Sequence, residues 1–391
     1  MTRALVVDDS QFMRTVVGNA LEDQGFEVVE ASNGKQAVES AEKEEFDVIT
    51  MDVAMPKMGG IEATERIMER SPTPILMVSA HTEVGADATL DALERGAVDF
   101  LAKPGGEASI EAGTIKDDLV EKVEAVTSAD LDALEPVPTV NQAEVDAAES
   151  GDGETMSVSA SAAEPETDAT VDPHTPSVGE ISSVIEEKIA REYVENPTIV
   201  VGASTGGPKL VSAILRDLPR ALDARVLVIQ HMPKSFTGRF AERLDAVSAY
   251  SVAEAEDGER IGGGEVRIAR GDSHLEVPSY SSGRVRLQLV DDEPVHGVKP
   301  SIDVAMQSVA ETIDDPVVGV ALTGMGEDGA AGIRAIKEAG GHTVVQDEET
   351  SPVFGIPKQA IETGCVDEVL PAERLVDGLL SILSREGDDD G

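Results

Sequence analysis

Apolar positions along the chain fall into two alternating series separated by a long polar stretch. In the first series, apolar runs near 4–8 (ALVVD), 27–31, 47–51 (DVITM), 74–79 (PILMVS) and 98–102 alternate with helical patterns at 10–24, 34–45, 59–70, 84–95 and 110–126. The second series begins at 197–203 (PTIVVGA) and continues through 225–229 (RVLVI) and 317–322 (VVGVAL), with helices expected near 208–217, 235–247, 302–312, 330–340 and 373–385. These runs are short, rich in β-branched residues and do not alternate, the pattern of strands covered by helices on both faces. Repeated strand–helix units predict an α/β chain with parallel, doubly wound sheets. Between 252 and 290 the pattern changes to a Gly-rich alternation (GEVRIARGD, SGRVRLQLV), which predicts antiparallel hairpins inserted in the second sheet.

The stretch from about 127 to 184 is dominated by Ala, Ser, Glu, Asp, Thr and Pro. It cannot bury enough apolar surface to order itself and reads as an acidic flexible linker. Residues 185–193 (IEEKIAREY) are expected to form a short helix leading into the second half.

Charge narrows the function classes. With 31 basic and 76 acidic side chains the chain carries a net charge of −45, and its basic residues include only 12 lysines. Self-repulsion at this density is damped when the Debye length falls to about 3 Å, near molar salt. Both halves flanking the linker are acidic, so the linker alone does not account for the charge; the composition is that of a halophilic, haloarchaeal-type cytoplasm. No basic stripe is present to neutralise phosphates, which excludes nucleic acid as a partner. The single cysteine, Cys365, suits a reducing compartment, and neither a signal-peptide pattern nor an apolar run of membrane length occurs. A cytoplasmic location is expected.

Candidate chemistry sits at strand ends. Asp8 and Asp9 close the first run and Asp52 the third; in a flavodoxin-like strand order they converge at the switch-point edge. Three such carboxylates repel one another unless a hard cation lies among them, and Mg²⁺ with its oxygen preference suits the cluster. Ser79 and Lys103, ending the fourth and fifth runs, offer a hydroxyl and an ammonium to a phosphoryl group on Asp52. In order and spacing, ALVVDDS, DVITMDVAMPKMGG, ILMVSA and VDFLAKP resemble the receiver domain of two-component response regulators. That resemblance implies that Asp52 is the phospho-acceptor, that Asp8 and Asp9 help bind Mg²⁺, and that Ser79 and Lys103 read the phosphoryl group. Phe100 matches the aromatic switch position.

In the second half, Gly202-Ala203-Ser204-Thr205-Gly206 fits the G-x-S-x-G turn that exposes a serine at the top of a sheet. A phosphate-cradling loop is the alternative, but neither dinucleotide nor P-loop spacing accompanies it. A serine nucleophile needs a base. Of six histidines, only His231 directly follows a buried-type strand, one strand–helix unit after Ser204. Asp328 is the candidate carboxylate, with Asp347, Asp303 and Asp272 as competitors; capping of a helix N-terminus accounts for Asp303.

The order Ser…His…Asp, with GASTGGP, QHMP, LTGMGEDGAAGI and QDEETSPVFGIPKQA, resembles the CheB-type chemotaxis protein-glutamate methylesterases. The resemblance implies a flavodoxin-like receiver with a five-stranded parallel sheet over 1–126, a linker over 127–195, and a Rossmann-like doubly wound methylesterase domain with an inserted β-hairpin over 196–388. It further implies a triad of Ser204, His231 and Asp328, and a Met325 backbone N–H in the oxyanion hole. The activity implied is phosphorylation-gated demethylation of receptor glutamyl methyl esters, with deamidation of receptor glutamines, and the unphosphorylated receiver lying over the triad. Mg²⁺ serves the receiver only, and the esterase step needs no cofactor. The implied partners are a chemotaxis histidine kinase as phosphodonor and methyl-accepting chemoreceptors as substrate, with a monomer meeting the membrane only through those receptors. The loops Ala269-Arg270-Gly271-Asp272 and Val295-His296-Gly297-Val298-Lys299-Pro300 depart from the family pattern, which bears on receptor preference.

Overall fold

A computed structural model of the protein describes residues 2–80, 83–103, 112–131, 133 and 192–385. Of the linker expected over 127–184, residue 132 and residues 134–184 lie outside the described residues, as does most of the expected helix at 185–193.

The first half is built from β1 (Arg3–Val7), α1 (Gln11–Glu22), β2 (Glu27–Ala31), α2 (Gly34–Ala41), β3 (Val48–Asp52), α3 (Gly60–Arg70), β4 (Ile75–Ala80), α4 (Glu83–Glu94), β5 (Asp99–Lys103) and α5 (Ala112–Thr127). Its strands pair in parallel in the order β2-β1-β3-β4-β5, the flavodoxin-like order expected from the acidic strand ends. β1 and β3 are buried over nearly their whole length, which explains why their sequences do not alternate. Ser10 caps α1, its hydroxyl accepting from the Met13 N–H, so the chain turns out of the sheet directly after Asp8 and Asp9.

The second half runs β6 (Thr198–Ala203), α6 (Gly207–Asp217), β7 (Arg225–Gln230), α7 (Lys234–Val247), β8 (Ser251–Glu254), β9 (Arg260–Ile261), β10 (Glu265–Ile268), β11 (His274–Ser281), β12 (Arg284–Val290), α8 (Ile302–Thr312), β13 (Val317–Ala321), α9 (Ala330–Glu338), β14 (His342–Gln346), α10 (Ile356–Glu362), β15 (Glu368–Leu370) and α11 (Leu375–Ile382). Seven strands form a parallel sheet in the order β15-β14-β13-β6-β7-β10-β8.

Two expectations are corrected here. The Gly-rich stretch does not insert hairpins into this sheet. Its early strands β8 and β10 join the sheet in parallel, while β11 and β12 form a hairpin in a separate three-stranded sheet with β9. Alternating burial on β10 (Val266 and Ile268 inward) in the parallel sheet and on β11 and β12 (Leu275, Val277, Val285 and Leu287 inward) in the separate sheet produces the same period-two signal. The strands β14 and β15 and the helix α10 were not expected. Gly and Pro interrupt the sequence around them, and β15 is only three residues long.

No helix among the described residues is long and apolar enough to cross a membrane. The two halves are packed together. The rings of Phe100 on β5 and Phe236 on α7 lie 4.3 Å apart, and Arg243 on α7 pairs with Asp91 at 2.5 Å and Glu94 at 3.1 Å on α4.

Candidate active site and phosphoryl pocket

β6, β7 and β13 are neighbours at the centre of the second sheet, with Ala203 in register with Gln230 and Gly202 with Ala321. Ser204 therefore leaves β6 next to His231 leaving β7, on strands spaced about 4.8 Å apart. The His231 N–H donates to the Ala203 carbonyl and the Ser204 N–H to that of Thr323, tying the three strand ends together. Gly324, at φ +156°, lets the β13 loop pass close beside the serine: a Cβ there would lie 2.6 Å from the Ser204 Cβ. Gly206, at φ +78°, turns the chain into α6 directly after the serine.

Asp328 reaches the same edge from the loop after β13. One of its oxygens lies 2.8 Å from His231 Nε2 and also accepts from the Ile302 N–H at 2.7 Å; the other accepts from Ser301 Oγ at 2.7 Å and the Asp303 N–H at 3.0 Å. Burial pushes the Asp328 carboxyl up, but the bonds from His231, Ser301 and the Asp303 N–H outweigh it and hold the group below the usual carboxylate range. The carboxylate sits at the N-terminus of α8, where the helix dipole also favours negative charge. With Nε2 engaged by Asp328, Nδ1 is the ring nitrogen left to take a serine proton, the reverse of the usual serine-protease assignment.

Ser204, His231, Asp328 and Met325 line one cavity of about 1020 Å³. The Met325 N–H, on the loop facing Ser204, meets no acceptor among the described residues and is free for an oxyanion.

The remaining histidines and carboxylates separate clearly. His274 is buried, its Nε2 donating to the Glu293 carbonyl and its Nδ1 accepting from the Ser301 N–H, so it fixes the segment that presents Ser301 to Asp328. His342 lies against Glu368 at 3.7 Å, away from the cavity. Asp347 accepts from Thr350 N–H and Oγ1 within its own turn, and Asp272 pairs with Lys234 and Arg270. Asp303 requires a correction. Ser301, not Asp303, caps α8, and the Asp303 carboxylate instead accepts from the Gly329 and Gly332 N–H groups at the start of α9. A sequence reading places Asp303 near a helix N-terminus but cannot tell which helix it serves.

In the first half Asp8, Asp9 and Asp52 come together, one oxygen of each within 4.8 Å of the others. Lys103 Nζ lies 2.8 Å from both Asp8 and Asp52. Burial, with a smaller contribution from Asp8 and Asp9, pushes the Asp52 carboxyl up against the opposing pull of Lys103. A divalent cation would relieve that crowding, and a donor set of carboxylate oxygens suits Mg²⁺. Ser79 is buried next to this edge, but its hydroxyl donates to the Gly85 carbonyl at 3.2 Å and is not turned to Asp52. Phe100 is also buried, against Phe236 of the second half.

The first half forms one wall of the serine cavity: Phe100, Leu101, Ala102, Asp118, Glu121 and Lys122 line it opposite Ser204 and His231. Two hydrogen bonds reach the serine turn itself. Thr205 Oγ1 donates to Asp99 at 2.6 Å, and the Gly206 N–H donates to the Val98 carbonyl at 3.2 Å. Asp99 also pairs with Lys122 at 2.5 Å and accepts from the Phe100 N–H. Sequence reasoning missed Asp99, which carries no signal distinguishing it from a strand-start residue.

The family model described as CheB methylesterase matches residues 199–379, and that described as response regulator receiver domain matches residues 4–113. A protein-glutamate methylesterase/protein-glutamine glutaminase of Haloarcula marismortui is 51% identical over 387 residues, covering 98% of each chain. The chain belongs to the CheB methylesterase family. A relative of the same description from Halobacterium salinarum is 50% identical, covering 98% of this chain and 99% of its own. The crystal structure of the Thermotoga maritima CheB methylesterase catalytic domain is 40% identical, covering 48% of this chain and 98% of that one, with a TM-score of 0.46.

Proposed function

We propose that the protein is a phosphorylation-activated serine esterase that demethylates glutamyl γ-methyl esters of methyl-accepting chemoreceptors, releasing methanol, and deamidates receptor glutamines. The observation that carries the reading is the His231–Asp328 pair beside Ser204 in a cavity walled on its far side by the receiver half. Ser204 attacks the ester carbonyl while His231 Nδ1 takes its proton, and Asp328 stabilises the resulting imidazolium. The Met325 N–H meets the oxyanion, and such a donor is worth on the order of 3–4 kcal/mol. Collapse expels methanol, or ammonia from an amide, protonated by His231. Water then attacks the acyl-serine by the same route.

Asp52 is the proposed phospho-acceptor. Asp8, Asp9 and Asp52 would hold Mg²⁺, which supplies charge neutralisation at the phosphoryl oxygens, while Lys103 and Ser79 contact the phosphoryl group. Ser79 must first release the Gly85 carbonyl. Phe100 is the proposed switch aromatic; leaving Phe236 would weaken the contact that closes the cavity. The proposed boundaries are 1–126, 127–195 and 196–388; the matched segments 4–113 and 199–379 lie within the first and the third. A chemotaxis histidine kinase would supply the phosphoryl group in a cytoplasm of high salt, the setting that the net charge of −45 and the haloarchaeal relatives favour.

The test is methanol release from methyl-labelled receptor membranes, with and without a phosphodonor. Wild type should be stimulated and Ser204→Ala inert under both conditions. Turnover by Ser204→Ala defeats the serine mechanism, and turnover indifferent to the phosphodonor defeats the gating.

A further inference from the structure

The mechanism above leaves one buried carboxylate beside the triad unused. Asp303 is 4% exposed, and its oxygen lies within 4.8 Å of those of Asp328 and the ring nitrogen of His296. The two aspartates exchange helix ends. Asp328, two residues before α9, accepts from the Ile302 and Asp303 N–H groups at the start of α8; Asp303, in the first turn of α8, accepts from Gly329 and Gly332 at the start of α9 at 2.9 and 2.7 Å. Each carboxylate thus satisfies donors that helix geometry leaves unpaired on the other helix. Neither can move without uncapping a helix, and Asp328 is thereby fixed relative to His231.

Two buried carboxylates this close repel, and the His296 imidazole lies against them on the cavity side. His296 Nε2 lies 3.2 Å from Asp303, and its Nδ1 lies 3.0 Å from Glu327. A carboxylate oxygen thus lies against each ring nitrogen, that of Asp303 as a hydrogen-bond partner and that of Glu327 at ion-pairing distance. His296, at φ +52° in a loop lining the catalytic cavity, is held in a backbone conformation uncommon for a non-glycine residue. The titratable groups facing Asp303 are Asp328 and His296, with His231 and Glu327 one contact further.

We propose that Asp303 is a positioning residue for the esterase reaction: it locks Asp328 onto His231 by cross-capping α8 and α9, and its charge, balanced by His296, sets the basicity of His231. Burial pushes the Asp303 carboxyl up, in line with a charge that needs this balance. The proposal rests on the serine-esterase reading and adds opposite signs for two neutralising substitutions. Asp303→Asn removes a negative charge near the His231 cation, so the acidic limb of kcat/KM moves to lower pH. His296→Gln removes a positive charge and moves it to higher pH. The double variant returns towards wild type.

The experiment uses full-length protein with a phosphodonor and receptor membranes, at fixed molar salt. It measures kcat and KM across pH and follows ¹⁵N-histidine signals through the same titration. Asp303→Asn should lower kcat about tenfold with KM within twofold, and the displacement of one activated group by such a change is typically about half a pH unit or more. The His231 signal should titrate in the same direction as the activity limb. Displacements of the same sign in the two variants, or none in either, overturn the proposal. Should Asp303→Asn fail to fold, the His296→Gln arm decides alone, because that residue is 35% exposed in its side chain and a wild-type pH profile there removes the charge balance. A Ser204→Ala control that retains turnover would instead overturn the underlying reading, so the two failures are distinct.

Discussion

Replacing Arg243 by alanine should switch the enzyme partly on without phosphate. Arg243 lies on α7 of the catalytic half and is not among the residues lining the serine cavity. Its guanidinium spans to α4 of the receiver, pairing with Asp91 at 2.5 Å and Glu94 at 3.1 Å and donating to the Asp87 carbonyl at 2.8 Å. The two acidic partners are 46% and 67% exposed, so their pairs must be discounted for solvent screening. Two pairs of that kind contribute about 0.2–1 kcal/mol each. Adding a hydrogen bond of about 1 kcal/mol to the carbonyl brings the loss to about 1.4–3 kcal/mol. The closed–open equilibrium should then move about 10–150-fold towards open.

The assay is methanol release by unphosphorylated protein, followed by the same measurement with a phosphodonor. Basal activity should rise by that factor unless it reaches the phosphorylated level first. Phosphorylated activity should stay at the wild-type value, so the stimulation ratio shrinks from below. Raising salt screens the exposed pairs, with a Debye length of about 3 Å at 1 M, and should narrow the gap between variant and wild type. A Phe236→Ala change, which removes the ring against Phe100, should show no comparable salt dependence. The reasoning is refuted if Arg243→Ala leaves the basal rate unchanged, or if basal and stimulated rates fall together.

Other expectations follow from the two sites. Ser204→Ala and His231→Ala should each lower kcat by several orders of magnitude and the double variant little further, with Asp328→Ala retaining more turnover, as stopped assays on receptor membranes can measure. Asp52→Asn should keep basal methanol release but lose stimulation by a phosphodonor, whereas a fragment starting near residue 190 should be active without one. The Asp52 carboxyl is pushed up by burial in the folded protein, so its ionisation costs stability, a cost that sets in as pH rises above the ordinary carboxylate range and is complete once pH has passed the folded value; Mg²⁺ should raise Tm more at pH 7 than near pH 4, and Asp52→Asn should remove most of that difference. Stability should climb steeply from dilute buffer to about 2 M KCl, and a Tm flat over that range contradicts a halophilic design.

Strand ends were legible because burial on both faces leaves unbroken β-branched runs, and the polar residue after each run is necessarily at the sheet edge. Asp52, Ser204 and His231 are all of this kind. Asp328 was harder: it lies beyond the strand end, in a Gly-rich turn, and its rivals Asp347 and Asp272 are separated from it only by contacts made in three dimensions. The roles of Ser301, Asp303 and His274 were not legible. They depend on the segment after the β11–β12 hairpin folding back onto α9, which no local periodicity encodes. The interface was half legible. Phe100 was singled out by resemblance, but its partner Phe236 and the neighbouring Asp99 carry no pattern of their own.

What the packing adds is a physical connection between the two reactions. β5 has Lys103 at one end, bonded to Asp8 and Asp52, and Asp99 at the other, bonded to Thr205 immediately after Ser204, the proposed nucleophile. Between them Phe100 is stacked on Phe236. A phosphoryl group on Asp52 brings roughly −2 charge within reach of Lys103 and competes for its ammonium. Any resulting shift of β5 acts on the serine turn directly, as well as on the cavity wall. Removal of the wall alone and removal of the Asp99–Thr205 bond alone are therefore separable. Thr205→Val in the full chain should raise unphosphorylated turnover while Phe100 still covers the cavity, and in the fragment starting near residue 190, which lacks Asp99, it should have no stimulating effect. If the substitution acts equally in both, the bond holds the serine turn for chemistry, and the receiver restrains the esterase by coverage alone.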